Sequence, residues 1–223
     1  MSTEDILFFF PRRAVASRHV FFSWSHQIRS ARAAAAFSGS PRARGAMTTM
    51  RPFTCDDLFA YNDVNTDALT ETFNLNFYLS YLARWPEYFT TAEGPGGSAP
   101  TGYVMGKAEG RGERWHGHVT AVTVAPSYRR MGLAKKLMRE LEDVSEKVHD
   151  GYFVDLFVRR SNVNAIAMYE GMGYVVYRRV LNYYMGEEDA LDMRKALPRD
   201  VEKKSVVPLK RPIQPHELEQ DFT

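Results

Sequence analysis

Residues 115–136, Trp-His-Gly-His-Val-Thr-Ala-Val-Thr-Val-Ala-Pro-Ser-Tyr-Arg-Arg-Met-Gly-Leu-Ala-Lys-Lys, constrain the fold more than any other stretch of the chain. The first half reads as a strand. Val119, Ala121 and the run Val122-Thr123-Val124 favour an extended backbone, and Pro126 ends it. The second half opens a helix, because Leu133, Leu137, Leu141, Val144 and Val148 recur at steps of three and four and form one apolar stripe. Between them lies Arg129-Arg130-Met131-Gly132-Leu133-Ala134. Gly132 lets a ligand approach the backbone, Ala134 presents almost no side chain, and the first amides of the helix point outward at the positive end of its dipole. Arg129, Arg130 and Lys135 add formal charge. Such a turn suits a diphosphate. It also describes an ordinary strand–turn–helix with a basic surface, and the turn alone does not separate the two.

Composition narrows the class. With 223 residues the chain is long enough for one sizeable core, and 44% hydrophobic residues is the proportion of a soluble globular protein. No apolar run reaches the roughly 20 residues needed to span a membrane. The one cysteine, Cys55, excludes an intrachain disulfide and reads as a small buried residue near a helix start. Residues 1–46 hold seven arginines against two acids, a net +5, so with +2 for the whole chain the remainder carries −3. A mildly acidic body argues against nucleic-acid binding as the main task.

In order along the chain, residues 1–46 form an Arg/Ala/Ser-rich extension without periodicity, expected to be disordered. It reads either as an upstream addition to a body starting at Met47 or as an organelle transit peptide, against which Glu4 and Asp5 count. Met47–Phe53 is a strand. Thr54 caps a helix through Leu58, Phe59 and Tyr61 that ends near Asn62–Asn65, and Asp67–Asn76 is a loop. A second helix runs from Phe77 to Trp85, closed by Pro86. Tyr88–Glu93 and Thr101–Glu109 form a hairpin around a Gly/Pro cluster. Gly151–Arg159 is a strand covered on both faces, with Asp155 as its internal charge. Asn162–Met172 is a short helix, Tyr174–Tyr184 a long strand, and Asp192–Leu197 a last strand. Residues 198–223 make a charged, proline-containing tail that wraps the surface or docks a partner. The expected class is α/β, a single domain over residues 47–197.

The Arg-x-x-Gly-x-Ala turn, with Ser161-Asn162-Val163-Asn164-Ala165-Ile166-Ala167-Met168-Tyr169 and Gly173-Tyr174 further on, resembles the Gcn5-related N-acetyltransferase (GNAT) superfamily. Met47–Phe59, Leu69–Phe73, Trp85–Phe89, Trp115–Ala121, Phe153–Arg159, Asp192–Leu197 and Glu202–Ser205 resemble, more closely, the catalytic subunits of N-terminal acetyltransferase B (NatB). Residues 1–46 fall outside that likeness. The resemblance implies a mixed central sheet, flanked by helices, that is splayed between two parallel strands, with acetyl-CoA as co-substrate and no metal. It implies acetylation of protein N termini that begin Met-Asp, Met-Glu, Met-Asn or Met-Gln, in the cytoplasm, on nascent chains at the ribosome. A large helical-repeat auxiliary subunit is the implied partner, and neither nucleic acid nor membrane is. One departure stands out: Asn74-Leu75-Asn76 replaces the family's Gly–Ile–Pro-like turn, which alters the substrate loop.

Aminolysis of a thioester needs a neutral amine, an oxyanion donor and an acid for the leaving thiolate. An α-amine has a pKa of about 8, so a positioned group or water wire suffices as base. Backbone N–H groups near Val122, Thr123 and Val124 suit the oxyanion and the pantetheine amides. The resemblance assigns Arg129, Arg130, Met131, Gly132, Leu133, Ala134 and Lys135 to the diphosphate, Tyr169 to the acid, and Asn162 to CoA or peptide. It places Glu71, Phe73, Tyr183 and Tyr184 around the substrate. His118 is the candidate base or the contact to the second substrate residue, with His116 a weaker one. Without the resemblance, Tyr169 reads as a core tyrosine, Asn162 as a helix cap, His118 as a structural histidine, and Tyr183 and Tyr184 as half-buried strand aromatics. The six histidines show no metal-ligand spacing. The alternatives are an N-terminal or lysine acetyltransferase of other specificity, a non-catalytic acyl-CoA-binding partner subunit, and a nucleic-acid binder working through residues 1–46.

Overall fold

A computed structural model describes residues 48–222 apart from 62–63, 66–69, 95, 98 and 185–186. The reading of residues 1–46 therefore lies outside the described residues. The strands are β1 (Thr49–Pro52), β2 (Thr90–Glu93), β3 (Pro100–Glu109), β4 (His116–Val124), β5 (Phe153–Arg159), β6 (Val175–Tyr184) and β7 (Glu188–Ala196), and the helices α1 (Leu75–Arg84), α2 (Leu133–Lys147), α3 (Val163–Glu170) and α4 (Pro215–Phe222). One sheet runs in the order β1-β2-β3-β4-β5-β7-β6. Every neighbouring pair is antiparallel except β4 and β5. No helix among the described residues is long and apolar enough to cross a membrane.

The β4–β5 pairing covers only His116–Val119 against Phe153–Leu156. Beyond that the strands part, as the resemblance implies. On its other side β4 stays paired with β3 as far as Val124, with one irregularity: Met105 faces Ala121 and Gly106 faces Val119, which leaves Thr120 as an extra residue. Such a bulge bends a strand and re-aims its side chains. Thr120 and Ala121 consequently both turn toward α1, where the Thr120 hydroxyl donates to Tyr81 Oη at 2.9 Å and Ala121 packs beside Tyr103 and Met105.

Helix α2 covers the opposite face with Leu133, Leu137, Met138 and Leu141, all buried. It can do so because β3 and β4 present glycines to it. A Cβ on Gly106 would lie 2.7 Å from Leu141 Cδ1, and one on Gly117 would lie 2.0 Å from Ser145 Oγ. Val148, expected at the end of the stripe, sits past the helix end and is 64% exposed. The stripe drifts off the core once the chain leaves helical geometry.

Three other expectations are corrected. The segment after Thr54 forms only a 3-10 helix, Cys55–Phe59, because the Thr54–Asp57 capping box and the Arg51–Asp57 pair at 2.7 Å fix it as a short turn. Cys55 in that turn is exposed. Helix α1 begins at Leu75 rather than Phe77, since Asn74 caps it: Phe77 N donates to Asn74 Oδ1 at 2.9 Å. The departure from the family's turn thus reads as a helix start. The tail packs on the sheet. Ile213 bridges to Val180, and Ile213 and Leu218 join Val180 and Ala190 in a small cluster.

Gly117→Ala is expected to destabilise the fold by about 1–3 kcal/mol through overpacking against Ser145, read as a lower midpoint in chemical denaturation. An unchanged midpoint would mean that α2 does not seat on β4 at this distance.

Candidate active site

The cleft between the diverging strands joins two chemically different faces. On the α2 face lies the Arg129–Lys135 turn. Gly132 takes φ +82°, Arg130 takes φ +64°, and no side chain caps α2. The first backbone bond of the helix runs from Lys136 N to Gly132 O at 3.1 Å. The amides of Leu133, Ala134 and Lys135 therefore precede the intrahelical ladder, at the positive end of the dipole. Arg130, Met131 and Lys135 are exposed, as a solvent-borne anion requires, whereas the Leu133 side chain is core and offers only its backbone. Arg129 is also on the surface, but its Nε donates to the Val124 carbonyl at 2.9 Å. It ties the turn to the end of β4, a structural task the sequence reading did not foresee.

Tyr169 on α3 packs in the same cluster as Val119 and Val124 of β4 and Leu156 and Val158 of β5. It is 7% exposed, and burial pushes its phenol pKa up. Asn162 caps α3, accepting from Ala165 N at 3.2 Å; the structure gives it the capping role. The Thr123 side chain is buried, its hydroxyl donating to the Val64 carbonyl at 3.2 Å and lying 3.2 Å from Thr70 Oγ1. Only the backbone of Val122, Thr123 and Val124 is thus available, and on the β5 side it has no strand partner among the described residues.

On the α1 face, His118 stands at the point of divergence. Its ring lies 5.7 Å from Phe157, which stacks on Tyr183 at 5.0 Å, and Tyr183 meets Tyr184 edge-on at 5.1 Å. The Arg159 guanidinium lies 4.1 Å over the Tyr184 ring and donates to Glu71 Oε1 at 2.6 Å. Arg159, which the sequence reading left in an apolar strand, thus joins Glu71 to the aromatic wall. A charged residue two positions after Phe157, on the same strand face, was the available signal. Phe73 stacks on Phe77 at 4.3 Å and reaches Thr120 through Tyr81. The Tyr184 hydroxyl donates to the Phe157 carbonyl at 3.1 Å.

Behind His118 lies buried charge. Its Nδ1 is 2.7 Å from Asp155 Oδ1, and His116 Nε2 is 3.4 Å from Asp155 Oδ2. Burial works to raise the Asp155 pKa, but His116 and His118 outweigh it and hold the carboxyl well below its usual range. Burial likewise opposes charge on His116, and Asp155 outweighs it, raising the imidazole pKa. Glu109, His116 and His118 are close enough to share an ion. The His118 nitrogen concerned is already bonded to Asp155 and Lys107 pairs with Glu109, so the cluster is read as a hydrogen-bonded network. A cavity of about 460 Å³ lined by Arg114, His116, Tyr177 and Arg199 opens at the opposite end of the parallel pair, away from the cleft.

Residues 54–174 match the Acetyltransferase (GNAT) family. The chain is 69% identical over 175 residues to the N-terminal acetyltransferase B complex catalytic subunit NAA20 of Arabidopsis thaliana, covering 78% of this chain and all of the relative. Naa20 of Chaetomium thermophilum, solved in complex with a bisubstrate analogue, superimposes with a TM-score of 0.72 at 41% identity, covering 76% of this chain and 98% of that one. A NatB acetyltransferase complex bound to CoA gives a TM-score of 0.63 at 48% identity, covering 68% of this chain and all of that one. With the splayed pair, the uncapped turn and these likenesses together, the chain belongs to the GNAT acetyltransferase family and, within it, to the catalytic subunits of N-terminal acetyltransferase B.

Proposed function

We propose that this chain transfers the acetyl group of acetyl-CoA to the α-amine of proteins beginning Met-Asp, Met-Glu, Met-Asn or Met-Gln. The observation that carries the reading is the cleft between β4 and β5, with an anion-binding turn on one face and a His118-centred aromatic pocket on the other. Cofactor and peptide approach from opposite sides and meet where the strands part. The amides of Leu133–Lys135 hold the diphosphate, helped by Arg130 and Lys135. The unpaired β4 backbone orients the pantetheine and donates to the oxyanion. His118 takes the amine proton, and Tyr169 protonates the leaving sulfur. Phe73, Phe157 and Tyr183 line an apolar slot suited to a methionine side chain, with the Glu71–Arg159 pair at its mouth.

The relatives are subunits of a complex, and this chain fits such a role. Leu75 and Leu79, one turn apart on α1, are 53% and 37% exposed, and nearby Phe59 is 82% exposed. This face suits an auxiliary subunit of helical-repeat type, with the assembly acting in the cytoplasm on nascent chains at the ribosome. Residues 1–46 are then an extension outside the catalytic body.

The test is acetyl transfer to peptides starting Met-Asp, Met-Glu, Met-Asn, Met-Leu and Ser-Glu, plus one with a blocked N terminus and a free lysine. The chain is co-expressed with a candidate auxiliary subunit. Activity confined to the first three is expected; acetylation of the lysine or Met-Leu peptide would overturn the substrate assignment. Activity should rise with pH toward the α-amine pKa of about 8. Because burial raises the Tyr169 pKa, the acid stays protonated there, so no alkaline fall is expected below about pH 10. Tyr169→Phe should lower kcat by about 10²-fold with little change in peptide KM. Leu79→Asp should reduce co-purification with the auxiliary subunit while leaving the thermal midpoint of the chain unchanged.

A further inference from the structure

Strand β5 carries one charge inside its apolar run, Asp155 between Val154 and Leu156, and the residue is fully buried. An ionised side chain in that position costs several kcal/mol unless its oxygens are bonded. Oδ1 lies 2.7 Å from His118 Nδ1, on the residue directly across the parallel pair. Oδ2 lies 3.4 Å from His116 Nε2. His116 Nδ1 is 2.6 Å from the Arg114 carbonyl, and a carbonyl only accepts, so the proton of that contact belongs to His116 Nδ1.

The groups facing Asp155 come from every neighbouring strand. Lys107 and Glu109 on β3 form an ion pair, and Glu109 Oε1 stands 3.8 Å from His118 and 3.9 Å from His116. Arg194 lies opposite Asp155 on β7, with Asp192 and Arg178 paired beyond it and Tyr183 on β6. An ionised carboxylate among these groups is purely an acceptor. His118 Nδ1 must then carry a hydrogen, and in the neutral ring the lone pair sits on Nε2. Only that form can accept a proton at Nε2.

We propose that Asp155 is a positioning residue for acetyl transfer. It fixes His118 with its proton on Nδ1 so that Nε2 receives the proton of the attacking α-amine, and His116 braces the second carboxylate oxygen. The inference rests on the N-terminal acetyltransferase reading above. In the step, the bond from amine nitrogen to acetyl carbon forms and the carbon–sulfur bond breaks. The amine proton passes to His118 Nε2 and the sulfur takes the Tyr169 proton. Water then carries the His118 proton back to Tyr169, so no further reactant is consumed.

Asp155→Asn tests this in the assembled complex. The new amide donates to Nδ1 and forces the His118 proton onto Nε2. The expected result is a fall of about 10²-fold in kcat on a Met-Glu peptide, with KM for acetyl-CoA unchanged because the Gly132 turn is untouched. In a His118→Ala chain, adding Asp155→Asn should change nothing further. Wild-type kcat in either Asp155→Asn or His118→Ala overturns the proposal, as does an equal fall from Asp155→Asn in both backgrounds. If Asp155→Asn does not assemble, solid-state 15N spectra of the histidine-labelled wild-type complex decide. The His118 signal is identified by its loss in His118→Ala. A proton on Nδ1 supports the proposal, and one on Nε2 alone overturns it. That readout needs no activity, whereas failure of the wild-type complex on the Met-Glu peptide would instead sink the functional reading.

Discussion

Two parallel strands that stop pairing halfway along set almost everything else in this molecule. From His116 to Val119 β4 is locked between β3 and β5; from Thr120 onward it pairs with β3 alone among the described residues. A strand with an unpaired edge inside a domain is costly unless something else satisfies its amides and carbonyls. A ligand with its own amide groups does so, and the cofactor arm of an acetyltransferase is such a ligand. The Thr120 bulge falls where the pairing ends. It turns Thr120 and Ala121 toward α1 and returns Val122 and Val124 to the α2 core, so one irregularity serves both walls of the cleft.

The sheet face beneath His118 is lined with charge rather than with hydrocarbon. Lys107 and Glu109, His116 and His118, Asp155, Arg194, Asp192 and Arg178 follow one another across five strands. Lys107, Arg194 and Arg178 balance Glu109, Asp155 and Asp192, which is what makes the row's burial tolerable. Replacement by apolar residues of similar volume would serve stability as well or better, so the arrangement is explained more readily by the chemistry at its open end than by folding. Arg194 also stacks on Tyr177 at 3.6 Å, which fixes the far end of the row and limits how its neighbours move.

Much of the fold was legible along the chain. The β-branched run of β4, the period of Leu133, Leu137 and Leu141, the Gly/Pro cluster between β2 and β3, and the single charge in β5 each reflect a local rule. The misreadings arose where a local rule met a competing contact. The segment after Thr54 had helical spacing, yet the Arg51–Asp57 pair and the capping box held it to one short turn. Asn74 looked like a loop residue and proved to be a cap. In each case the deciding partner lies in a different element or depends on a backbone direction that residue type does not encode.

By itself the sequence determined most of the strands and the long helix α2, that one turn suits a diphosphate, and which side chains are capable of acid–base chemistry, because these depend on neighbours within a few positions. Tertiary structure alone decided that β4 and β5 diverge after four paired residues, that Arg159 reaches across to Glu71, and that Asp155 meets two histidines from the adjacent strand. His118 and Asp155 are 37 residues apart in the chain and 2.7 Å apart in space. Strand register creates that proximity, and register follows from the summed packing of two faces of a sheet rather than from either residue's local surroundings.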